Sequence, residues 1–292
     1  MIIDTNRRTN RALGCLRENG VNTIIRYYAR TTGQPEKRLT RAEAEAIIAA
    51  GASIAVVHQA GGASVDSFSA AQGRQDAAYA FRYAIETIGQ PAGSSIYFAV
   101  DFDCDARQFK DRIVPHFRGI QEVNESGTFT KKFSIGAYGN GLVLDGLLTE
   151  HLCQRTWLSQ STGHHESKAF KATNKWTLFQ QLPSMLCGIG VDIDDVQGNA
   201  HDIGQFDDLD TVRPALAVGG IATSVGNRFR VNATSGLRLR GGPGTDFDVQ
   251  RLLAVGTIVE VLSRVGEWAI VDINGNGVAD GAVHAAFLES VD

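Results

Sequence analysis

The sequence predicts an α/β protein: a (β/α)8 barrel of the TIM type with degenerate crossovers, followed by a small all-β domain. Three observations carry this. The first two-thirds of the chain alternates short apolar runs with amphipathic stretches, as parallel strands and their crossover helices do. The apolar runs number eight, enough to close a barrel. From about Thr211 the pattern changes to short strand-like segments separated by Gly-rich turns.

The eight candidate strands are Met1–Asp4, Thr23–Tyr28, Ser53–Gln59, Ser95–Asp101, Phe133–Tyr138, Thr156–Ser159, Trp176–Gln180 and Gly190–Asp194. Most are apolar throughout, as strands buried on both faces should be. The helices between them have marked starts. Thr40-Arg-Ala-Glu43 is a capping box before a run that stops at Gly51, and Ser69-Ala-Ala-Gln72 opens a second helix ending near Gly89-Gln-Pro91. Asp105-Ala-Arg-Gln108 opens a third, which Pro115 should kink or interrupt. A further helix fits between Tyr138 and Thr156, whereas the link from strand 7 to strand 8 is too short for one. An open doubly wound sheet is the alternative; the lack of a G-x-G-x-x-G after strand 1 weakens any dinucleotide reading.

The barrel is expected over 1–212, with a linker over 213–228, uncharged and rich in small residues from Pro214 to Gly226. The last domain is expected over 229–292, with strands at Arg228–Asn232, Gly236–Arg240, Thr257–Ser263, Glu267–Asp272 and Gly281–His284. Two Asn-Gly pairs, Asn274-Gly275 and Asn276-Gly277, suit a hairpin turn better than a calcium loop, since the twelfth loop position is Val283.

A 292-residue chain with 43% hydrophobic and 21% charged residues and a net charge of −4 fits ordinary globular domains. That balance points to no nucleic-acid partner, and no apolar run is long enough for a membrane span. The N-terminus has no basic segment followed by an apolar one, so no Sec signal is read; action in the periplasm or cell wall would require another route out of the cytoplasm. The spacings of Cys15, Cys104, Cys153 and Cys187 suit neither zinc nor a disulfide framework, so reduced structural thiols are expected. No metal or cofactor is implied. Asp101, Asp103 and Asp105 spell D-x-D-x-D, but Ala106 and Arg112 occupy the positions where a calcium loop needs Gly and Glu. His164-His165-Glu166 reads as a solvated loop.

In a parallel barrel the working face lies at the carboxyl ends of the strands. Acids collect there: Asp4 ends strand 1, Asp101 ends strand 4 with Asp103 two residues on, and Asp192 and Asp194 close strand 8. Crowded carboxyls cannot all ionise freely, so one should retain a proton beside an ionised partner. Glycoside hydrolysis needs that pairing. Other strand ends carry aromatic rings and amides that suit a sugar's apolar faces and hydroxyl rim: Tyr28, Gln59, Tyr138, Trp157, Gln160 and Gln180. Arg26, inside a strand, needs an acidic partner or a ligand.

Ile2–Asn6, Arg26-Tyr27-Tyr28, Lys37-Arg38-Leu39-Thr40, Ile96–Asp103, Gly136-Ala137-Tyr138-Gly139 and Trp157-Leu158-Ser159-Gln160 together resemble a bacterial glycoside-hydrolase-like family formerly known only as a domain of unknown function. That family is distantly related to the family-25 lysozymes. The resemblance spans about residues 1–205 and is most specific at Phe98–Asp103. It implies a muramidase-like role at the barrel mouth. It puts Asp103 in the place of the general acid, Asp101 in that of its motif partner, Asp4 in that of the strand 1 acid and Asp192 in that of the strand 8 acid. Here Asp replaces the Glu of the lysozyme motif, which withdraws the carboxyl by one methylene, and a misplacement on the order of 1 Å can cost ~10²-fold in rate. Residues 229–290, with Gly236-Leu-Arg-Leu-Arg240 and Gly266-Glu-Trp268, resemble bacterial Src-homology-3-like domains. These tether hydrolases to walls or partners.

The expected function is therefore hydrolysis of peptidoglycan glycan strands or a related glycan, with the C-terminal domain holding a cell-wall peptide or a protein. A carbohydrate-binding scaffold that has kept the cleft is the alternative. The context could be that of a secreted antibacterial effector or a phage-type lysin.

Overall fold

The computed structural model describes residues 1–30, 32, 34–60, 64–198, 202–212, 228–245, 247, 249–273 and 280–291. The chain divides into two compact units, Met1–Ala215 and Leu216–Asp292. Nearly all of the expected linker, 213–228, and the Asn-Gly turn at 274–277 fall outside the described residues.

The first unit is a closed eight-stranded barrel in the order β1(Ile2–Asp4), β2(Thr23–Tyr28), β3(Ser53–His58), β4(Ser95–Ala99), β5(Ser134–Gly139), β6(Arg155–Leu158), β7(Leu178–Leu186), β8(Ile189–Val196). Strands β1 to β7 pair in parallel. Strand β8 runs the other way, antiparallel to both β7 and β1. The expected all-parallel barrel is thus corrected at its last strand. The two-residue turn Cys187-Gly188 leaves no room for a crossover, so the chain must reverse, and both residues take the positive φ such a turn needs, 54° and 79°.

The expected helix starts hold. Helix α1 spans Leu13–Glu18. Thr40 caps α2(Arg41–Ala49) by accepting from the Glu43 amide, and Ser69 caps α3(Ala70–Arg82) by accepting from the Gln72 amide. Asp105 and Gln108 form the full reciprocal capping box. Pro115 does not break the rod it opens. It falls in the first turn of α4(Val114–Glu125), where its missing N–H costs nothing, after a widened turn over Phe109–Ile113. Helices α5(Gly141–Thr149) and α6(Ser167–Ala172) follow β5 and β6.

Two apolar layers result. One lies between strands and helices. The other plugs the barrel lumen with Ile25, Ala55, Val57, Tyr97, Trp157 and Leu178. Gly136 faces that lumen, where a Cβ would come within 2.5 Å of the Tyr97 ring, so the glycine makes room for the tyrosine.

The second unit is a seven-stranded sheet of β9(Arg228–Val231), β10(Leu237–Arg240), β11(Val249–Leu253), β12(Ile258–Val265), β13(Trp268–Asp272), β14(Gly281–His284) and β15(Leu288–Ser290), in the order β11-β10-β14-β13-β12-β9-β15. It contains the five expected strands plus β11(Val249–Leu253) and β15(Leu288–Ser290), both at sheet edges. Its core is built from Val231, Leu239, Val259, Val271 and Val283.

Candidate functional site

The site begins with strand alternation. Side chains at i and i+2 share a face, and on the lumen side these are Asp4 on β1, Tyr27 on β2, Tyr138 on β5, Trp157 on β6 and Gln180 on β7. Gln59 and Asp101 follow β3 and β4 in the same phase. The reversal of β8 decides the rest. Asp192 pairs with Asp4 and Asp194 with Ile2, so Asp192 lies at the mouth and Asp194 one layer deeper.

These residues line two connected spaces. The outer cleft, about 680 Å³, is bounded by Asp4, Thr5, Asn6, Lys37, Asp101 and Asp192 and, on one wall, by Pro183, Ser184 and Met185. An inner compartment of about 210 Å³ is lined by Val57, Ala99, Tyr138, Trp157, Gln160 and Gln180. Tyr27, Gln59, Asp101 and Asp192 border both and form the neck between them.

The wall of Pro183, Ser184 and Met185 belongs to an arm, the β7–β8 hairpin continued beyond its pairing with neighbouring strands. Between Gln180 and Pro183 the register slips, three steps on β7 against two on β8. That bulge changes the phase, so Gln180 and Pro183 both face the cleft. A disulfide, Cys15–Cys187, ties the arm's tip to α1, and the Thr5 hydroxyl donates to the Gly190 carbonyl at 2.7 Å. The expectation of four reduced thiols is therefore corrected for this pair. Residues 172 apart in sequence meet because the arm folds back beside the start of the chain, which linear spacing does not reveal. Cys104 and Cys153 are free and buried. Burial pushes both thiols up to about 12, with Asp105 and Asp103 adding to the effect at Cys104.

The carboxyls occupy four different environments. Asp4 is buried. It accepts from the Tyr27 hydroxyl at 3.0 Å and from Gln180 Nε2 at 2.8 Å. Burial pushes its pKa up to about 7, against those hydrogen bonds and with help from Asp192. Asp192 accepts from the same Gln180 nitrogen at 3.2 Å, and burial raises it also. Gln180 is held in turn by the Tyr138 hydroxyl, which donates to its Oε1 at 2.8 Å. Asp194 accepts from the Trp157 indole at 2.7 Å. Burial, then Asp4, raises it well above the ordinary carboxylate range. Asp101 accepts from Gln59 Nε2 at 3.0 Å.

Asp103 lies apart. It borders neither space and accepts from the His165 amide at 2.8 Å, the His165 ring at 2.9 Å and Asn140 Nδ2 at 3.1 Å. Its slight burial acts upward, but the two His165 bonds and the Asn140 bond outweigh it and hold the carboxyl down to about 2. The strand ends at Ala99, so the i, i+2 argument that grouped Asp101 with Asp103 does not apply here. Tyr28 and Arg26 also point away from the cleft. Tyr28 donates to Gln90 Oε1 at 2.9 Å in the layer outside the barrel. Arg26 meets Glu43 at 3.0 Å with both side chains fully buried, and it also binds the Thr5 and Glu36 carbonyls. Arg26 thus found the acid that its position in a strand required. That pairing puts Arg26 outside and so Tyr27, rather than Tyr28, inside.

Sequence reasoning missed Tyr27, Lys37 and the arm. The Arg26–Glu43 pairing could have given the phase of β2. Nothing local announces that Pro183 and Met185 wall a cleft.

Among the described residues, no cluster of three or more His, Cys, Asp or Glu is arranged to hold a metal ion, and no helix is long and apolar enough to cross a membrane.

Comparison with known proteins matches residues 14–210 to the family described as Rv2525c-like, glycoside hydrolase-like domain, and residues 235–289 to the bacterial SH3 domain. The uncharacterized protein YbfG of Bacillus subtilis strain 168 is 31% identical over 195 residues, 63% of this chain and 26% of that protein. FadG of the same strain is 28% identical over 177 residues, 60% of this chain and 30% of that protein. The chain thus matches under a third of the length of these curated relatives. Among solved structures, the Tat-secreted protein Rv2525c of Mycobacterium tuberculosis in complex with L-tartrate superposes with a TM-score of 0.58 at 22% identity, covering 70% of this chain and 97% of that one. The same protein in complex with HEPES gives 0.57 at the same identity and coverage. At that identity the likeness speaks to the fold.

Proposed function

The chain belongs to the Rv2525c-like, glycoside hydrolase-like family, and from that premise we propose that its barrel hydrolyses a glycan, the glycan strand of peptidoglycan in the first instance, by carboxylate acid catalysis at the neck of the cleft. One observation carries the reading. Asp4 and Asp192 share one amide donor, and burial pushes the Asp4 carboxyl up to about 7, where a group can both hold and release a proton at neutral pH. The scissile bond lies at the neck, with one sugar in the inner compartment and the next in the outer cleft. Asp4 donates the proton to the leaving oxygen. Asp101 and Asp192 face the positive charge that develops at the anomeric carbon, or orient the attacking water. Asp103, held near 2 in a loop, does not serve as the acid. Gln180, Tyr138 and Tyr27 position the Asp4 carboxyl.

The second domain, matched to the bacterial SH3 family, holds the enzyme on the wall or on a wall-associated protein. The site of action lies outside the cytoplasm. Disulfides persist in oxidising compartments, and the Mycobacterium tuberculosis relative is described as Tat-secreted.

The test is release of soluble muropeptides from purified sacculi. Release by the wild type that is lost in Asp4→Asn and Asp101→Asn, and kept in Asp103→Asn, supports the assignment. Cosedimentation with sacculi and no release by the wild type replaces it with a non-catalytic glycan-binding module.

A further inference from the structure

The cleft is not uniform in charge. Among the described residues, no cationic side chain lines its inner compartment, whose floor is the apolar and aromatic surface of Val57, Ala99, Tyr138 and Trp157. The outer space adds two cations, Arg7 and Lys37. Arg7 is half-exposed and engaged with Glu36 at 3.3 Å. Lys37 is more enclosed, ending the short turn Pro35–Lys37. The next residue, Arg38, bridges to Tyr27 of β2, so the backbone on that side is fixed. The Lys37 ammonium lies 4.3 Å from the centre of the Tyr27 ring and donates to Gln59 Oε1. Gln59 in turn donates to Asp101, so the lysine is wired into the neck.

An ammonium has three N–H donors, and Gln59 takes one. None of the ion pairs formed among the described residues includes Lys37. Burial pulls its pKa down while Asp101 and Asp4 hold it up. A partly desolvated cation with donors to spare recovers its lost hydration best from an anion. A neutral hydroxyl recovers less.

We propose that Lys37 is the specificity-determining residue of this cleft, and that the sugar unit seated in the outer space bears a carboxylate while the unit in the inner compartment is neutral. The proposal rests on the glycan reading above and narrows it to an acidic glycan bound in one orientation. The carboxylate is that of a hexuronate ring or of a lactyl ether on a hexosamine freed of its stem peptide, since the peptide-bearing ether is a neutral amide. Both present the same group to Lys37, and the probes separate them.

The experiment is calorimetric titration of the full chain with N-acetylglucosaminyl-N-acetylmuramic acid and with a glucuronate–N-acetylglucosamine disaccharide. Each is used as the free acid and as the methylamide, which removes only the charge, and chitotetraose is the uncharged reference. Wild type should bind one of the acids about tenfold more tightly than its amide, the scale of a charge-assisted hydrogen bond. Lys37→Met should abolish that ratio while leaving amide affinity within about twofold, and Lys37→Arg should restore part of it. Thermal melting of both variants separates folding from recognition. A ratio that survives in Lys37→Met, or equal losses for acid and amide, overturns the proposal. Binding of chitotetraose with no preference for either acid over its amide overturns it and spares the glycan reading. No binding of any probe removes both.

Discussion

Asp4 and Asp192 stand opposite one another across the β1–β8 pair, and a single amide nitrogen, Gln180 Nε2, reaches both carboxyls at 2.8 and 3.2 Å. Both are raised by burial, and Asp192 pushes Asp4 further up. If Asp4 is the acid, its protonated form is the active one, so kcat/KM should fall as pH rises through about 7. Removing the Asp192 charge lowers the pKa of Asp4, so the basic limb in Asp192→Asn should move to lower pH. A limb that stays in place would show that the two carboxyls do not communicate.

The same burial has a cost in stability. A carboxyl whose folded pKa lies above its unfolded value of 3.8 binds a proton more tightly in the folded chain. Stability therefore falls as pH rises from about 3.8 to about 7, and the deficit is complete above that. Asp4→Asn removes the titrating group, keeps an acceptor for Gln180 and should melt higher than wild type at pH 8. A gain of roughly 1–3 kcal/mol is the scale for relieving a buried charge. At pH 4 the two should melt together. Equal melting at pH 8 would mean that Asp4 is better solvated than its surroundings imply.

Asp103 gives the opposite expectation. It ties the loop after β4 to His165 and Asn140, and its carboxyl stays ionised down to about pH 2. Asp103→Asn should keep turnover within about threefold of wild type, whereas Asp101→Asn should lose 10² or more, the range for a group acting at the reacting centre. Loss of activity in Asp103→Asn with an unchanged melting temperature would return the acid role to Asp103.

The barrel was legible because its signals are local. Buried strands are apolar throughout, and Thr40, Ser69 and Asp105 each announce a helix start through their own side chains. The mouth was legible in part for the same reason. Asp4, Asp101, Asp192, Gln59, Tyr138, Gln160 and Gln180 converge because strand ends in a barrel must. What failed depended on phase and on long-range geometry. Tyr27 and Tyr28 are adjacent and chemically alike, and only the pairing of Arg26 with Glu43 says which one faces in. The reversal of β8, the bulge after Gln180 and the Cys15–Cys187 bond are tertiary events with no local sequence mark.

A second titrating cluster, away from the cleft, bears on acid tolerance. His58, Asp76 and His116 are buried together, with Arg30 3.4 Å from Asp76. Burial, reinforced by His58 and opposed by Asp76, pushes His116 down to about 4. A histidine kept neutral in the fold but protonated when unfolded supports the fold above its unfolded pKa of 6.5. That support is lost as pH falls from about 6.5 towards 4. Asp4 acts with the opposite sign over the same interval, so the wild-type curve alone cannot separate them. Melting temperatures of His116→Gln between pH 7 and 4.5 should decline less steeply than those of wild type, and those of Asp4→Asn more steeply. Parallel curves for His116→Gln and wild type would rule out this contribution.

The last expectation concerns the arm. Its wall of Pro183, Ser184 and Met185 is held by the Cys15–Cys187 bond and by the Thr5–Gly190 hydrogen bond. The bond closes a loop of 172 residues. The chain-entropy argument then sets a ceiling of about 5 kcal/mol on its stabilisation, with about 2–5 typical for native bonds. Cys15 is exposed at the surface, so a small reductant can reach the pair. Reduction, or Cys15→Ser, should lower the melting temperature and weaken glycan binding together, because the freed arm no longer presents a fixed wall and ordering it on binding costs affinity. Asp192 lies on β8 below the arm, paired with Asp4, so the acid pair should survive and the pH dependence of any remaining activity should be unchanged. Titration of chitotetraose with and without a phosphine reductant, beside a pH–rate profile of Cys15→Ser, checks both halves. Affinity unaffected by reduction would show that Thr5 and the strand pairing alone hold the wall. A shifted pH profile would show that the bond reaches the carboxyls as well.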